Sequence, residues 1–209
     1  MITLKNITQT NNEAVIFNNF SLTIPRGISC IDSENSEKRD CLIDLVLGLK
    51  KPAEGSVFFN NALIPFTKHQ DLLAYRQNFG SFTNKSVVLL NNLNAYENII
   101  LFGEYLHKRP QKELYKRAMY YAEQFKIDNA LTKLPYEMTL DEKRKTYFIM
   151  LLFKSPKIFI IDYDLSKLNL STELISGIIK KEQELGCSFL LFENRDIRRH
   201  FSDINEYSL

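Results

Sequence analysis

The stretch Asp32-Ser33-Glu34-Asn35-Ser36-Glu37-Lys38-Arg39-Asp40-Cys41, DSENSEKRDC, decides how this chain is read. A short apolar run, Ile28-Ser29-Cys30-Ile31, comes before it, and CLIDLVLGL, from Cys41 to Leu49, comes after it. The first run has the length and residue types of a buried strand. The second places Leu42, Leu45, Val46 and Leu49 on one helical face. A loop that leads from a buried strand into a buried helix can hold phosphate at the helix amino end. This loop has no glycine and carries acidic side chains, so it has the frame of a phosphate cradle filled with groups that repel phosphate.

Outward from the loop, buried strands and helices alternate. Upstream, Ile2, Leu4 and Ile7 predict an edge strand, FNNFSLTI alternates with period two, and Pro25-Arg26-Gly27 is a turn. Downstream, KKPAEGSV reads as a turn and Val57-Phe58-Phe59 as a strand. Residues 95–125 are mostly helical, with a break at Pro110, and 141–153 form another helix. KIFII, ending at Asp162, is a buried strand, 171–185 a helix, and CSFLLF from Cys187 to Phe192 another buried strand. Such alternation in the first and last thirds predicts an α/β core, and the helical middle third an inserted subdomain.

Composition sets the class. A chain of 209 residues suits one domain with a real core. Its 44% hydrophobic and 25% charged content is ordinary for a globular protein, and a net charge of +2 gives no electrostatic footprint for nucleic acid. Cys30, Cys41 and Cys187 lie in or beside apolar runs, which predicts buried, reduced thiols and a cytoplasmic setting. The three histidines show no metal-ligand spacing. No basic region followed by an apolar one opens the chain, and the longest apolar run, Tyr147 to Phe153, is far shorter than the ~20 residues of a spanning helix. Work at a membrane would therefore require a membrane partner.

With these elements in order, the chain resembles the nucleotide-binding domains of ABC transporters over nearly its whole length. LVLGLKKPAEGSVFFNN is similar to the helix, turn and strand after a Walker A loop, and YRQNFGSFTN to the strand entering the Q-loop. LNAYENIILFGEYL is similar to the start of the helical subdomain. LPYEMTLDEKRKTYFIMLLFKSPKIFIIDYDLSKLN follows the order of signature, helix, Walker B strand and D-loop, and GCSFLLFENRD is similar to the H-loop strand. The resemblance implies a P-loop NTPase-like ABC ATPase core with an N-terminal antiparallel β subdomain and an inserted α-helical subdomain. Residues 1–83 and 155–209 would form the core with its β subdomain, and 84–154 the helical subdomain. The short form looks most like stand-alone subunits of the FtsE, LolD and lipid-transport type.

The family's chemical residues are replaced almost throughout. Ser33, Ser36 and Lys38 stand where the resemblance puts the Walker A glycines, whose bare backbone curls around phosphate. Arg39 takes the place of the phosphate-binding lysine, and Asp40 that of the magnesium-binding hydroxyl. Asn11 replaces the aromatic that stacks on adenine, and Asn84 the Q-loop glutamine. Thr139, Leu140 and Asp141 fall in the signature without its glycines. Asp162 keeps the Walker B aspartate, and reads either as hydrogen-bonded structure or as the only retained metal candidate. Tyr163 replaces the catalytic carboxylate, and a phenol with a pKa of about 10 is no general base near neutral pH. Asn194 replaces the switch histidine.

Every loss falls on one nucleotide site while the apolar skeleton is spared. The expected function is therefore a catalytically inactive subunit, a scaffold or regulator docked on the cytoplasmic side of an integral-membrane permease. No cofactor, no nucleic acid and no direct membrane insertion are expected. Losses on both the Walker and the signature side favour a homodimer over pairing with an active ATPase. The resemblance places permease docking in the groove between core and helical subdomain, with Leu89, Leu90, Tyr96 and Phe102 as contacts. One alternative is a divergent but active ATPase, which would bind ATP and magnesium. Another is a soluble ABC-like protein that binds nucleic acid or ribosomes.

Overall fold

The computed structural model describes every residue except 12, 13, 86, 193 and 194. Along the chain, β1 (Ile2–Asn11), β2 (Ala14–Ile24), β3 (Ile28–Asp32) and α1 (Ser36–Val46) lead into β4 (Glu54–Phe59) and β5 (Ala62–Leu63). Then come α2 (His69–Arg76), β6 (Phe79–Thr83), α3 (Ala95–Tyr105), α4 (Gln111–Gln124) and α5 (Leu140–Lys154). The last part holds β7 (Ile158–Asp162), α6 (Thr172–Glu184), β8 (Ser188–Phe192), α7 (Arg195–Arg198) and β9 (Ile204–Ser208).

Two sheets organise these elements. One is antiparallel, in the order β2-β1-β4-β5, and the other is parallel, in the order β6-β7-β8-β3-β9. Alternation along the parallel strands assigns their two faces. Ile31, Ile158, Ile160, Leu190 and Phe192 join the inner residues of the antiparallel sheet around Leu42, Leu45 and Val46 of α1. The opposite face presents Phe82, Phe159, Ile161, Phe189 and Leu191 to α3, α4, α5 and α6. There an aromatic chain closes the core: Phe82 meets Phe148 at 5.1 Å, and Phe148 meets Phe159 at 5.4 Å. Burial on both faces is what a parallel sheet requires, and it explains why β7 and β8 read as continuous apolar runs.

Three expectations are corrected. β1 is an interior strand, not an edge, because alternation reports a buried face and says nothing about which edges are paired. α1 begins at Ser36, not Cys41, and ends before Leu49, which is exposed. Gly48, at φ +66°, turns the chain there, and the Leu49 amide donates back to the Asp44 carbonyl at 2.8 Å. KKPAEGSV is only partly a turn, since β4 already starts at Glu54. Near the carboxyl end the short α7 has Ile197 buried under it, and the strand that follows, β9, extends the parallel sheet. All three cysteines are buried free thiols. Burial pushes the Cys30 thiol up to about 11 and the Cys187 thiol up to about 12.

Candidate functional site

Two depressions border β6, an edge strand of the parallel sheet. The first is a polar cleft of about 570 Å³ lined by Ser36, Arg39, Asp40, Asp44, Asn84, Lys85 and Asp162, among others. Beside it runs the β3–α1 connection, only residues 33–35 long. Ser33 is buried, and its hydroxyl donates to the Asn35 carbonyl at 2.9 Å. The Asn35 side chain caps α1, its Oδ1 accepting from the amides of Glu37 at 2.9 Å and Lys38 at 3.1 Å. The amides that could hold an anion at this helix end therefore already hold the chain's own carboxamide.

Four charged side chains of the cleft are matched in pairs. Arg39 Nε lies 3.1 Å from Asp162 Oδ1, with the two side chains 17% and 14% exposed. Lys85 Nζ lies 2.7 Å from Asp40 Oδ2. The Asp44 carboxyl is pushed up by burial and then by the nearby charge of Asp40. Tyr163, one residue past Asp162, turns to the other face of the sheet. It is buried against Phe82 at 5.0 Å, with the Arg144 guanidinium 5.1 Å from its ring. Burial raises its phenol, the Arg144 charge opposing, which keeps it protonated.

The second depression is an apolar groove of about 350 Å³. The loop after α1, the end of α2, β6, the segment 88–90 and the outward faces of α3 and α5 form its walls. Leu49, Val88 and Leu90 are exposed at its lining, and Leu101, Phe102, Met150 and Leu151 make up much of the rest. Asn98, fully buried on α3, shapes one wall. Its Oδ1 accepts from the Leu90 amide at 2.8 Å, and its Nδ2 donates to the carbonyls of Leu90, Leu93 and Asn94. Two cations line the groove. Arg76 donates to the Leu47 and Gly48 carbonyls, and Lys154 Nζ donates to the Phe79 carbonyl at 2.5 Å. Burial lowers the Lys154 ammonium below its usual range.

Comparison with known proteins places this geometry among known folds. No protein-family model matches the chain. It is similar to the maltose/maltodextrin import ATP-binding protein MalK of Vibrio vulnificus, at 26% identity over 192 residues, 90% of this chain and 50% of that protein. The chain thus spans about half the length of this relative. It is also similar to the lipoprotein-releasing system ATP-binding protein LolD of Aquifex aeolicus, at 26% identity over 90% of this chain and 84% of that protein. In structure it matches MJ0796, a dimeric bacterial ABC transporter cassette, with a TM-score of 0.79 at 21% identity, covering 100% of this chain and 94% of that one. It matches cbiO1 from Clostridium perfringens, part of the ABC transporter complex cbiONQ, with a TM-score of 0.68 at 19% identity, over 91% of this chain and 77% of that one. This chain has the fold of an ABC ATPase cassette.

Within this cassette the residues singled out by resemblance separate into groups. Ser36, Arg39, Asp40, Asn84 and Asp162 come together in the polar cleft. Ser33 and Lys38 flank it in the β3–α1 connection and first turn, and Asn11 stands exposed at the end of β1, away from the cleft lining. Thr139, Leu140 and Asp141 open α5. Thr139 forms a reciprocal capping box with Glu142, Leu140 is exposed, and Asp141 pairs with Lys145 at 2.7 Å. Asn194 lies outside the described residues. Of the four expected docking contacts, Leu90 and Phe102 line the apolar groove. Leu89 and Tyr96 pack against the helical core instead, Tyr96 edge-on to Tyr115 at 5.8 Å.

A nucleotide phosphate does not fit the cleft as these residues stand. Its helix-end amides are taken by Asn35, its arginine is held by Asp162, and the Asp40 carboxylate faces the space a phosphate would enter. A carboxylate about 4 Å from a phosphate charge costs roughly 4 kcal/mol at an effective dielectric of 20. Sequence reasoning missed Asn35, Arg76, Lys154 and Lys85. An Asn just ahead of a Ser-Glu-Lys helix start is a readable N-cap signal. The three cations carry no local signal, because their partners are distant in sequence.

Proposed function

We propose that this chain is a non-hydrolysing ATP-binding-cassette subunit of an ABC-type membrane complex. It acts as scaffold or regulator on the cytoplasmic face of an integral-membrane permease. The observation that carries this reading is the polar cleft's self-sufficiency: its helix-end amides meet Asn35, Arg39 meets Asp162, and Lys85 meets Asp40. Tyr163 adds a buried phenol where the resemblance expects a catalytic carboxylate. Residues 84–154 serve as the helical subdomain, and the groove it forms with 1–83 and 155–209 takes the permease, with Leu90 and Phe102 as contacts. Support for a partnered role comes from cbiO1, which is part of a transporter complex, and from MJ0796, which is dimeric. Two copies of this chain, held by direct contacts or by the permease, make the working unit. Among the described residues no helix is long and apolar enough to cross a membrane, in keeping with attachment through a partner.

A divergent, active ATPase is the second reading. It draws on the ATP-binding role in the relatives' names and on the placement of Asp162 in one cleft with Ser36 and Arg39. Titration calorimetry with magnesium and ATP separates the two. Loss of about 4 kcal/mol weakens a micromolar site roughly a thousandfold. No isotherm is expected at micromolar ATP, and a clear micromolar isotherm favours the second reading.

A further inference from the structure

We propose that the outward face of α4 is a membrane-surface contact that lies on anionic phospholipid headgroups. Charge is unevenly spread along the chain. Residues 84–154 hold twelve Lys and Arg against eight Asp and Glu, and the remaining residues fifteen against seventeen. Helix α4 buries Leu114, Ala118, Tyr121 and Ala122 and turns its opposite face to solvent. At about 100° per residue, Tyr115 and Tyr120 stand on the two margins of that face, with Lys112, Lys116 and the half-buried Met119 between them. The two tyrosines are 54% and 51% exposed. Both rings are nonetheless held in place. Tyr115 meets the Tyr96 ring edge-on at 5.8 Å, and Tyr120 meets Tyr121 at 5.3 Å and the Lys181 ammonium at 5.7 Å.

Among the described residues the ion pairs that involve α4 are Arg109–Glu113 and Arg117–Glu182, and Lys112 and Lys116 belong to neither. Glu113 is thus answered by Arg109, which leaves Glu123, in the last turn, as the open acid on this side. A second copy of the same face would set lysines against lysines. An extended anionic plane fits better. Lysine stems lie along apolar surface while their ammonium groups reach headgroup phosphates, and tyrosine rings settle at headgroup level. A nucleic acid fits less well, because a long polyanion would run past the face onto the rest of the chain, where acids outnumber bases. A bilayer touches the face alone. So few lysines give a weak, reversible contact, which adds to a second anchor and does not replace one.

Purified chain and protein-free vesicles test this without a permease, so the outcome is separate from the docking reading. Vesicles of phosphatidylcholine with about one-third phosphatidylglycerol should carry the chain down on sedimentation, and raised salt should release it. Vesicles of phosphatidylcholine alone should leave it in solution. These two dependences need no variant to fold. Lys112→Glu/Lys116→Glu should weaken binding to the mixed vesicles at least about tenfold, and Tyr115→Ser/Tyr120→Ser about threefold. Lys51→Glu/Lys68→Glu makes the same change of net charge at exposed residues ahead of β4 and α2, and should bind as the parent does. Equal loss in the two lysine variants would make net charge the cause and overturn the inference. Absence of parent binding to the mixed vesicles, or full binding by the α4 lysine variant, would overturn it as well. If the parent ignores vesicles and binds single-stranded polyuridylate through Lys112 and Lys116, the face belongs to nucleic acid and the lipid inference falls.

Discussion

The polar cleft and the apolar groove sit on the same cassette and are finished in opposite ways. In the cleft strong groups answer other groups of the same chain: Asn35 the helix amides, Arg39 Asp162, Lys85 Asp40. In the groove Arg76 and Lys154 meet backbone carbonyls and, among the described residues, no carboxylate, and leucines and a valine stand open to solvent. A surface that has closed on itself has little left to offer a ligand, whereas one that exposes apolar area beside unpaired cations is still waiting for a partner. The proposed scaffold role rests on this difference between the two surfaces.

Asn98 tests the groove side of this contrast, and with the largest expected effect. It is fully buried, and its carboxamide ties α3 to the loop that carries Leu90. Asn98→Ala leaves buried backbone groups without partners, at about 1–3 kcal/mol for each strong one, so a total of roughly 3 kcal/mol is expected. Chemical denaturation reads the loss, and hydrogen exchange should become fast at the Leu90 amide. Slow exchange there, with full stability, would mean the groove wall does not depend on this residue and is less built than its geometry suggests.

Next in size is the Arg39–Asp162 pair, the centre of the closed cleft. Both side chains are mostly buried, so removing one strands the other, at roughly 2 kcal/mol once the remaining exposure is discounted. Arg39→Met and Asp162→Asn should each destabilise, and the double variant should recover about 1–2 kcal/mol of the sum in a double-mutant cycle. Cellular function should survive Asp162→Ala wherever protein level and complex assembly stay normal. Loss of function under those conditions would break the contrast, because it would assign Asp162 to a catalytic metal and not to Arg39.

How much of this could be read from the chain alone depends on the range of the cause. The core was legible because β7, β8 and α5 are long apolar runs whose burial is forced whatever they pack against. β9 was not, because INEYS is short, polar and half-exposed and becomes a strand only by pairing with β3. α2 was missed for a similar reason: only Tyr75 of its eight residues is buried. At the site, the missing glycines were visible, but their structural consequence was not. Resemblance and apolarity single out Leu90 and Phe102 together with Leu89 and Tyr96, of which only the first two line the groove, whereas Arg76 and Lys154 gain meaning only where distant segments enclose them. Leu49 was assigned to a helix face because the period continued through it, while the turn at Gly48 carried it to the groove.

The smallest effect gives the sharpest test of why the cleft is closed. Asn35→Ala removes a helix cap and should cost about 1 kcal/mol. It also frees the amides of Glu37 and Lys38, which lie at this helix end where an anion site would need them. Two causes of closure then make different predictions. If the capping side chain alone excludes phosphate, inorganic phosphate at millimolar concentration should raise the melting temperature of Asn35→Ala and leave the parent chain unchanged. If the charges decide, phosphate should stabilise neither, because Asp40 and Asp162 remain in the cleft and the connection of residues 33–35 is too short and too substituted to curl around an anion. The second outcome is expected, since a carboxylate opposing a phosphate by roughly 4 kcal/mol outweighs the gain from two freed amides. A phosphate-dependent rise in the variant would show instead that the cradle persists under its cap, and that one asparagine separates this cassette from its nucleotide.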